Sequence, residues 1–121
     1  MTPPAELYAV ADFCLIPMGT PTTSVGAYIT ECQRVLASMA SEGIHYELHG
    51  YGTNLEGPIS AVWRALQRCH EAVHAMGVER IATDIRLGTR TDHPAPTSAA
   101  SALTENQRKR DSVLQRLAAP P

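Results

Sequence analysis

Four stretches in which apolar and polar residues alternate, with two longer stretches between them carrying an apolar residue every three or four positions, predict an α+β domain of order βαββαβ. Glycine or proline stands at nearly every junction, which marks where one period gives way to the next. With 121 residues there is room for one compact domain spanning 1–121. Hydrophobic residues at 44% and charged residues at 18% give the balance of a chain that buries a core.

The first strand comes from residues 6–16, where Leu7, Ala9, Ala11, Phe13 and Leu15 alternate with Tyr8, Val10, Asp12, Cys14 and Ile16. Both sets are largely apolar, so both faces of this strand are expected to be at least partly covered. Pro17, Gly19 and Pro21 stop the ladder, and Thr22, Thr23 and Ser24 supply N-caps for a helix. Its stripe is Val25, Tyr28, Ile29, Cys32, Val35, Leu36 and Met39, closed by Gly43. Ile44, Tyr46 and Leu48 alternate with His45, Glu47 and His49 in a second strand. Tyr51, Thr53 and Leu55 mark a third across a tight hairpin at Gly50.

Gly57-Pro58 reads as a cap with proline in the first helical turn, followed by the stripe Val62, Leu66, Cys69, Val73 and Met76 and a closing Gly77. Ile81, Thr83, Ile85 and Leu87 alternate with Arg80, Ala82, Asp84 and Arg86 in the last strand, which completes a core over about 5–92. Residues 93–102, rich in proline, alanine, serine and threonine, read as an exposed linker or insertion. Thr104-Glu105-Asn106-Gln107 fits a capping box for a third helix over 103–118. Its stripe, Val113, Leu114 and Leu117, is thin, so it is expected to dock on the domain edge or on a neighbouring subunit.

This order is the ferredoxin-like split pair of βαβ units, with both helices on one face of an antiparallel sheet. The opposite face carries Tyr8, Val10, Asp12, Cys14 and Ile16 with His45, Glu47 and His49, too apolar in part to stay wet, so a homo-oligomer is expected. A formal net charge of −2 and a single lysine, Lys109, leave no electrostatic footprint for nucleic acid or an anionic membrane surface. No run approaches the roughly 18 apolar residues of a membrane span, and the first residues lack a secretory pattern, so the expected location is cytoplasmic. Cys14, Cys32 and Cys69 are odd in number and sit in apolar patterns, as reduced core thiols do.

The loudest chemical signal is His70-Glu71-Ala72-Val73-His74, since H-E-x-x-H sets two imidazoles one helical turn apart beside a carboxylate. No third ligand follows at the spacing of the zinc enzymes that use it, and both histidines border an apolar stripe, so helix-border histidines are the reading and no metal site is assigned. Two hydroxyl-bearing turns stand before the two helices. One is Gly19-Thr20-Pro21-Thr22-Thr23-Ser24. The other is Gly52-Thr53-Asn54-Leu55-Glu56-Gly57-Pro58, where Glu56 is placed near a helix N-terminus to be favoured by its dipole or to accept from a protonated ligand nitrogen. Asp12, Glu47, Glu56 and Asp84 are further carboxylates with the potential to cluster. No serine lies in a nucleophile elbow and no cysteine in a basic polar loop, so nothing demands an enzyme.

Pro17-Met18-Gly19-Thr20 with Thr23-Ser24-Val25 and Tyr28, then Tyr46-Glu47-Leu48-His49 with Gly52-Thr53 and Leu55-Glu56-Gly57, then Cys69 to His74 leading to Gly77-Val78, Arg80 and Arg90-Thr91-Asp92, resemble the small thiamine-binding protein family (YkoF-like). The resemblance covers about residues 5 to 93 and resumes in the last helix. It implies a ferredoxin-like subunit, assembled as a homodimer or homotetramer, that binds thiamine or its hydroxymethylpyrimidine moiety without transforming it and uses no further cofactor. Carried over to this chain, it places Thr20, Thr23, Ser24, Thr53 and Glu56 around the ligand, with Tyr28, Tyr46 or Tyr51 to stack on it. Residues 94–102 depart from the family pattern as an insertion. An oligomeric scaffold without a small ligand and a zinc hydrolase using His70 and His74 are the competing readings.

Overall fold

The structure, a computed structural model, describes residues 6–96 and 103–120. Its elements are β1 (Tyr8–Met18), α1 (Gly26–Ala37), a single 3-10 turn (Ala40–Glu42), β2 (His45–His49), β3 (Gly52–Pro58), α2 (Ile59–Ala75), β4 (Arg80–Thr89) and α3 (Glu105–Ala118). The four strands form one antiparallel sheet in the order β2-β3-β1-β4, so each βαβ half is interleaved with the other. The α+β, ferredoxin-like arrangement expected from the periodicities is the one the chain adopts.

Register decides which side chains meet. Ala11 stands opposite Leu55 on one side and Leu87 on the other, and Phe13 opposite Thr53 and Ile85, so these residues share the face turned to α1 and α2. Against them pack Cys32 and Leu36 of α1 and Ala61, Val62, Ala65, Leu66, Cys69 and Val73 of α2, all buried. Each leucine-sized side chain in this layer contributes about 1.5–3 kcal/mol relative to exposure. The alternate set lies on the far face, where Val10 pairs with Glu56, Asp12 with Asn54 and Arg86, and Cys14 with Asp84. Asp12, Glu47, Glu56 and Asp84 therefore do share one face of the sheet.

Three local expectations are corrected. Thr22, Thr23 and Ser24 do not cap α1 in the usual way: the N-cap position is Val25, without a side-chain hydrogen bond. The loop hydroxyls satisfy the loop instead, Thr20 Oγ1 donating to the Thr22 carbonyl at 2.9 Å and Thr22 Oγ1 to that of Ser24 at 3.3 Å. Gly43 closes the 3-10 turn rather than α1, in a left-handed conformation (φ 87°) that costs glycine least. Finally, β3 runs on to Pro58, because Tyr8 pairs with Pro58 and the Ile59 amide donates to the Leu7 carbonyl at 2.8 Å. Glu56 is thus a strand residue aimed at the far face, and Pro58 rather than Gly57 is the N-cap of α2.

Gly52 opens β3 where the hairpin has no room for a side chain. A Cβ there would stand 2.8 Å from the Phe13 carbonyl oxygen and 3.3 Å from an Asp12 carboxylate oxygen. Gly52→Ala is expected to lower stability by roughly 1–3 kcal/mol, read as a fall in the denaturation midpoint at unchanged slope. An unchanged midpoint would show that β1 yields without cost.

Among the described residues no helix is long and apolar enough to cross a membrane. The end of the 93–102 stretch, from 97 to 102, lies outside the described residues.

Candidate functional site

α3 crosses the far face of the sheet over β2 and β3, and its N-terminus explains what Glu56 does there. The Glu56 carboxylate, only 3% exposed, accepts from the backbone amides of Glu105 at 2.8 Å and Asn106 at 3.1 Å. Thr104 Oγ1 accepts from the Gln107 amide at 3.1 Å, and Gln107 Oε1 accepts from the Thr104 amide at 3.0 Å, which is the expected capping box. The free amides of the first turn are therefore all taken, two by a carboxylate from the sheet and two by the box. Asn106 Nδ2 donates to Glu47 and Arg110 to the same carboxylate, while Asn54 donates to Asn106 Oδ1 at 2.7 Å. Arg108 holds the Glu105 carboxyl below the usual carboxylate range, and burial together with the Glu56 charge pushes the Tyr8 phenol up.

An open groove of about 490 Å³ lies beside α3, lined largely by polar side chains, His45, Glu47, Asn54, Asn106 and Arg110 among them. A different space opens on the helix side of the sheet. An apolar cavity of about 270 Å³ lies between the N-terminal half of α1, the middle of β1 and the β2–β3 hairpin, walled by Phe13, Leu15, Val25, Ile29, Cys32 and Leu48. On this side of α1, Cys32 and Leu36 are buried, as is Met39 just beyond the helix, while Val25 and Ile29 at the head of the stripe face the cavity.

Two polar groups stand in that apolar wall. Gln33 Nε2 donates to Thr53 Oγ1 at 3.1 Å, joining α1 to β3. Thr53 is 4% exposed. Because the threonine oxygen accepts in this bond, its own hydrogen and the Gln33 carbonyl oxygen are the groups left to face an occupant. At the rim, the hairpin residue Tyr51 is 93% exposed and lines the same cavity.

The five residues singled out in the sequence are not brought together. Thr53 lines the cavity. Glu56, three positions further along β3, points to the opposite face, as strand alternation requires, and is engaged by α3. Thr20, Thr23 and Ser24 lie in the loop before α1, and only their neighbour Val25 reaches the cavity. Of the three candidate aromatics, Tyr51 is at the cavity, Tyr28 packs against the core and Tyr46 lines the groove under α3. Gln33 escaped the sequence reading, although it left a signal: with Ile29, Cys32 and Leu36 it falls at i, i+3, i+4 and i+7, a glutamine on the buried side of an amphipathic helix.

The two histidines of H-E-x-x-H have structural partners. His70 Nε2 lies 2.6 Å from Thr83 Oγ1, and His74 Nδ1 lies 2.7 Å from the Val78 carbonyl oxygen. Their rings are 6.3 Å apart, and burial, then the His74 charge, lowers the pKa of His70. Among the described residues no three His, Cys, Asp or Glu side chains are grouped so as to hold a metal ion.

Comparisons with known proteins converge on one family. The family model described as thiamine-binding protein matches residues 11–102. A UPF0045 protein of Synechocystis is 47% identical over 85 residues, covering 70% of this chain and 67% of the relative. A UPF0045 protein of Bacillus subtilis is 41% identical over 85 residues, covering 69% and 82%. Among solved structures, a hypothetical protein of Methanocaldococcus jannascii superposes with a TM-score of 0.71 at 22% identity, covering 89% of this chain and 97% of that one. A putative thiamine biosynthesis/salvage protein of Thermotoga maritima gives 0.56 at 12% identity, covering 87% and 98%, a likeness of fold. The order of elements, the matched residues and the shared identity place this chain in the thiamine-binding protein family.

Proposed function

We propose that this chain binds the hydroxymethylpyrimidine moiety of thiamine, alone or within thiamine, in the cavity between α1 and the β2–β3 hairpin, and does so without transforming it. The observation that carries the reading is the Gln33–Thr53 pair in an otherwise apolar wall. A hydroxyl hydrogen beside an amide carbonyl oxygen complements the edge of an aminopyrimidine, whose ring nitrogen accepts and whose amino group donates. The apolar walls suit the ring faces. A volume of about 270 Å³ is at the small end for ligand sites, which favours one substituted ring inside.

No lysine or arginine lines the cavity, so a diphosphate would find no permanently charged partner there and the unphosphorylated forms are preferred. In thiamine the thiazolium ring would extend toward the rim, where Tyr51 offers an aromatic face to the cation. Calorimetric titration and thermal shift with hydroxymethylpyrimidine, thiamine and thiamine diphosphate test the reading. Stabilisation by the first two and little by the third is expected, since a ligand that prefers the native state raises its melting point. No shift with any of them at millimolar concentration would end it.

A second feature favours self-association in this function. On α3, Val113, Leu114 and Leu117 are 56%, 57% and 75% exposed, an apolar stripe that the domain itself does not cover. We infer that a second copy covers it, giving a homodimer or homotetramer. Leu114→Glu is expected to shift the molar mass measured by light scattering to that of the monomer. The same mass for wild type and variant would remove α3 from the interface.

A further inference from the structure

Cys32 and Cys69 meet where α1 crosses α2. Both are buried, at 2% and 0% exposure, and Cys69 Sγ donates to the Cys32 carbonyl oxygen at 3.9 Å. Their surroundings differ in one respect: Cys32 forms part of the cavity wall, whereas Cys69 lies behind it in the core. A small molecule in the cavity therefore meets Cys32 at its wall, with the Cys69 sulfur 3.9 Å from the Cys32 carbonyl oxygen. The thiols are also unequal. The Cys69 hydrogen bond draws the Cys32 thiol down, while the Cys32 thiol and then burial push Cys69 up. The sulfur at the cavity wall has a second thiol as its neighbour in the core, which is the arrangement of an attacking thiol with a resolving partner.

We propose that Cys32 and Cys69 are a redox-sensitive thiol pair, oxidised to an intramolecular disulfide by a small hydroperoxide that enters the cavity. The Cys32 thiolate attacks one peroxide oxygen, the O–O bond breaks, and the departing alkoxide or hydroxide takes up a proton, leaving a sulfenic acid on Cys32. The Cys69 sulfur then displaces the hydroxyl group, which leaves as water with the Cys69 proton as the S–S bond forms. In sum, two thiols lose two electrons and two protons, and the hydroperoxide is reduced to an alcohol, or to water, plus water. The bridge ties α1, which carries Gln33 and one wall of the cavity, to α2. Oxidation therefore acts on the wall of the cavity whatever molecule fills it.

The test uses the native chain without ligand. After exposure to hydrogen peroxide or tert-butyl hydroperoxide, remaining thiols are alkylated under denaturing, non-reducing conditions. Cleavage after glutamate then separates Cys14 from Cys32, because Glu31 lies between them. The expected result is an intact mass lower by two hydrogens, a cross-linked pair of peptides holding Cys32 and Cys69, and a free, alkylated Cys14. The rate should rise in proportion to peroxide concentration, as for reaction with the folded protein. In Cys69→Ala the reaction should stop at a sulfenic acid on Cys32, trapped by a cyclic diketone. Full alkylation of Cys32 and Cys69 after treatment, a bridge that includes Cys14, or a rate that levels off at the rate of unfolding would each overturn the proposal. Ligand titrations of the reduced protein stand apart from all of these outcomes.

Discussion

Thr53→Val is expected to weaken hydroxymethylpyrimidine binding by roughly tenfold to a hundredfold while leaving the fold in place. Valine matches threonine in shape, so β3 keeps its packing against Phe13 and the hydrophobic layer is undisturbed. What is lost is the hydroxyl, which takes a hydrogen bond from Gln33 and has one hydrogen to give. In the variant a ring nitrogen of the ligand would be buried in an apolar wall without a donor, and an unsatisfied buried acceptor costs about 1–3 kcal/mol. Gln33→Leu removes the other half of the pair and should weaken binding to a similar degree. The double variant should lose less than the sum, because the two groups position one another across 3.1 Å. Titration of the three variants checks the scheme. Equal affinities for wild type and Thr53→Val would take the ligand out of this cavity, and strict additivity would mean that the two groups act separately.

The fold was legible because period and punctuation largely agree in the core: a period of two in β1 that its burial follows, a three-four spacing in α2, and a two-residue hairpin between His49 and Gly52. The site was legible only in part. Thr53 could be singled out as a hydroxyl beside the hairpin, yet its partner Gln33 lies 20 positions away on another element, and no local pattern expresses that meeting. Glu56 shows the reverse problem. Its neighbours Gly57 and Pro58 are helix-start residues, so the sequence places it at the entrance to α2, whereas strand pairing with β1 extends through Pro58 and turns its side chain to the other face. One residue of register is enough to move a carboxylate from one side of a sheet to the other. Its true partner, the N-terminus of α3, is joined to the core through a stretch whose composition carries no geometry.

Glu56→Ala is expected to release α3 from the sheet and lower its local stability by about 2 kcal/mol or more, with the core from β1 to β4 staying folded. The carboxylate makes two charge-assisted hydrogen bonds to backbone amides at a helix N-terminus, where the peptide dipoles also favour negative charge. Removing it leaves the Glu105 and Asn106 amides without acceptors in a place shielded from water, and within the subunit no apolar seam compensates, because Val113, Leu114 and Leu117 face away from the domain, so the loss is read on the monomeric Leu114→Glu background. The remaining ties include Asn106 and Arg110 to Glu47, Asn106 to Asn54, and Arg108 and Glu105 to His93, most of them exposed and therefore weak. Glu56→Gln retains one acceptor oxygen but presents an amide group to the second backbone N–H, so it should fall between wild type and alanine. Amide hydrogen exchange separates the outcomes. Protection lost across Glu105–Ala118 with β1 unaffected is the expected pattern. Protection retained in α3 would mean that its capping box and polar side chains suffice to hold it. A loss spread over the whole sheet would make Glu56 a determinant of the core rather than of the helix that crosses it.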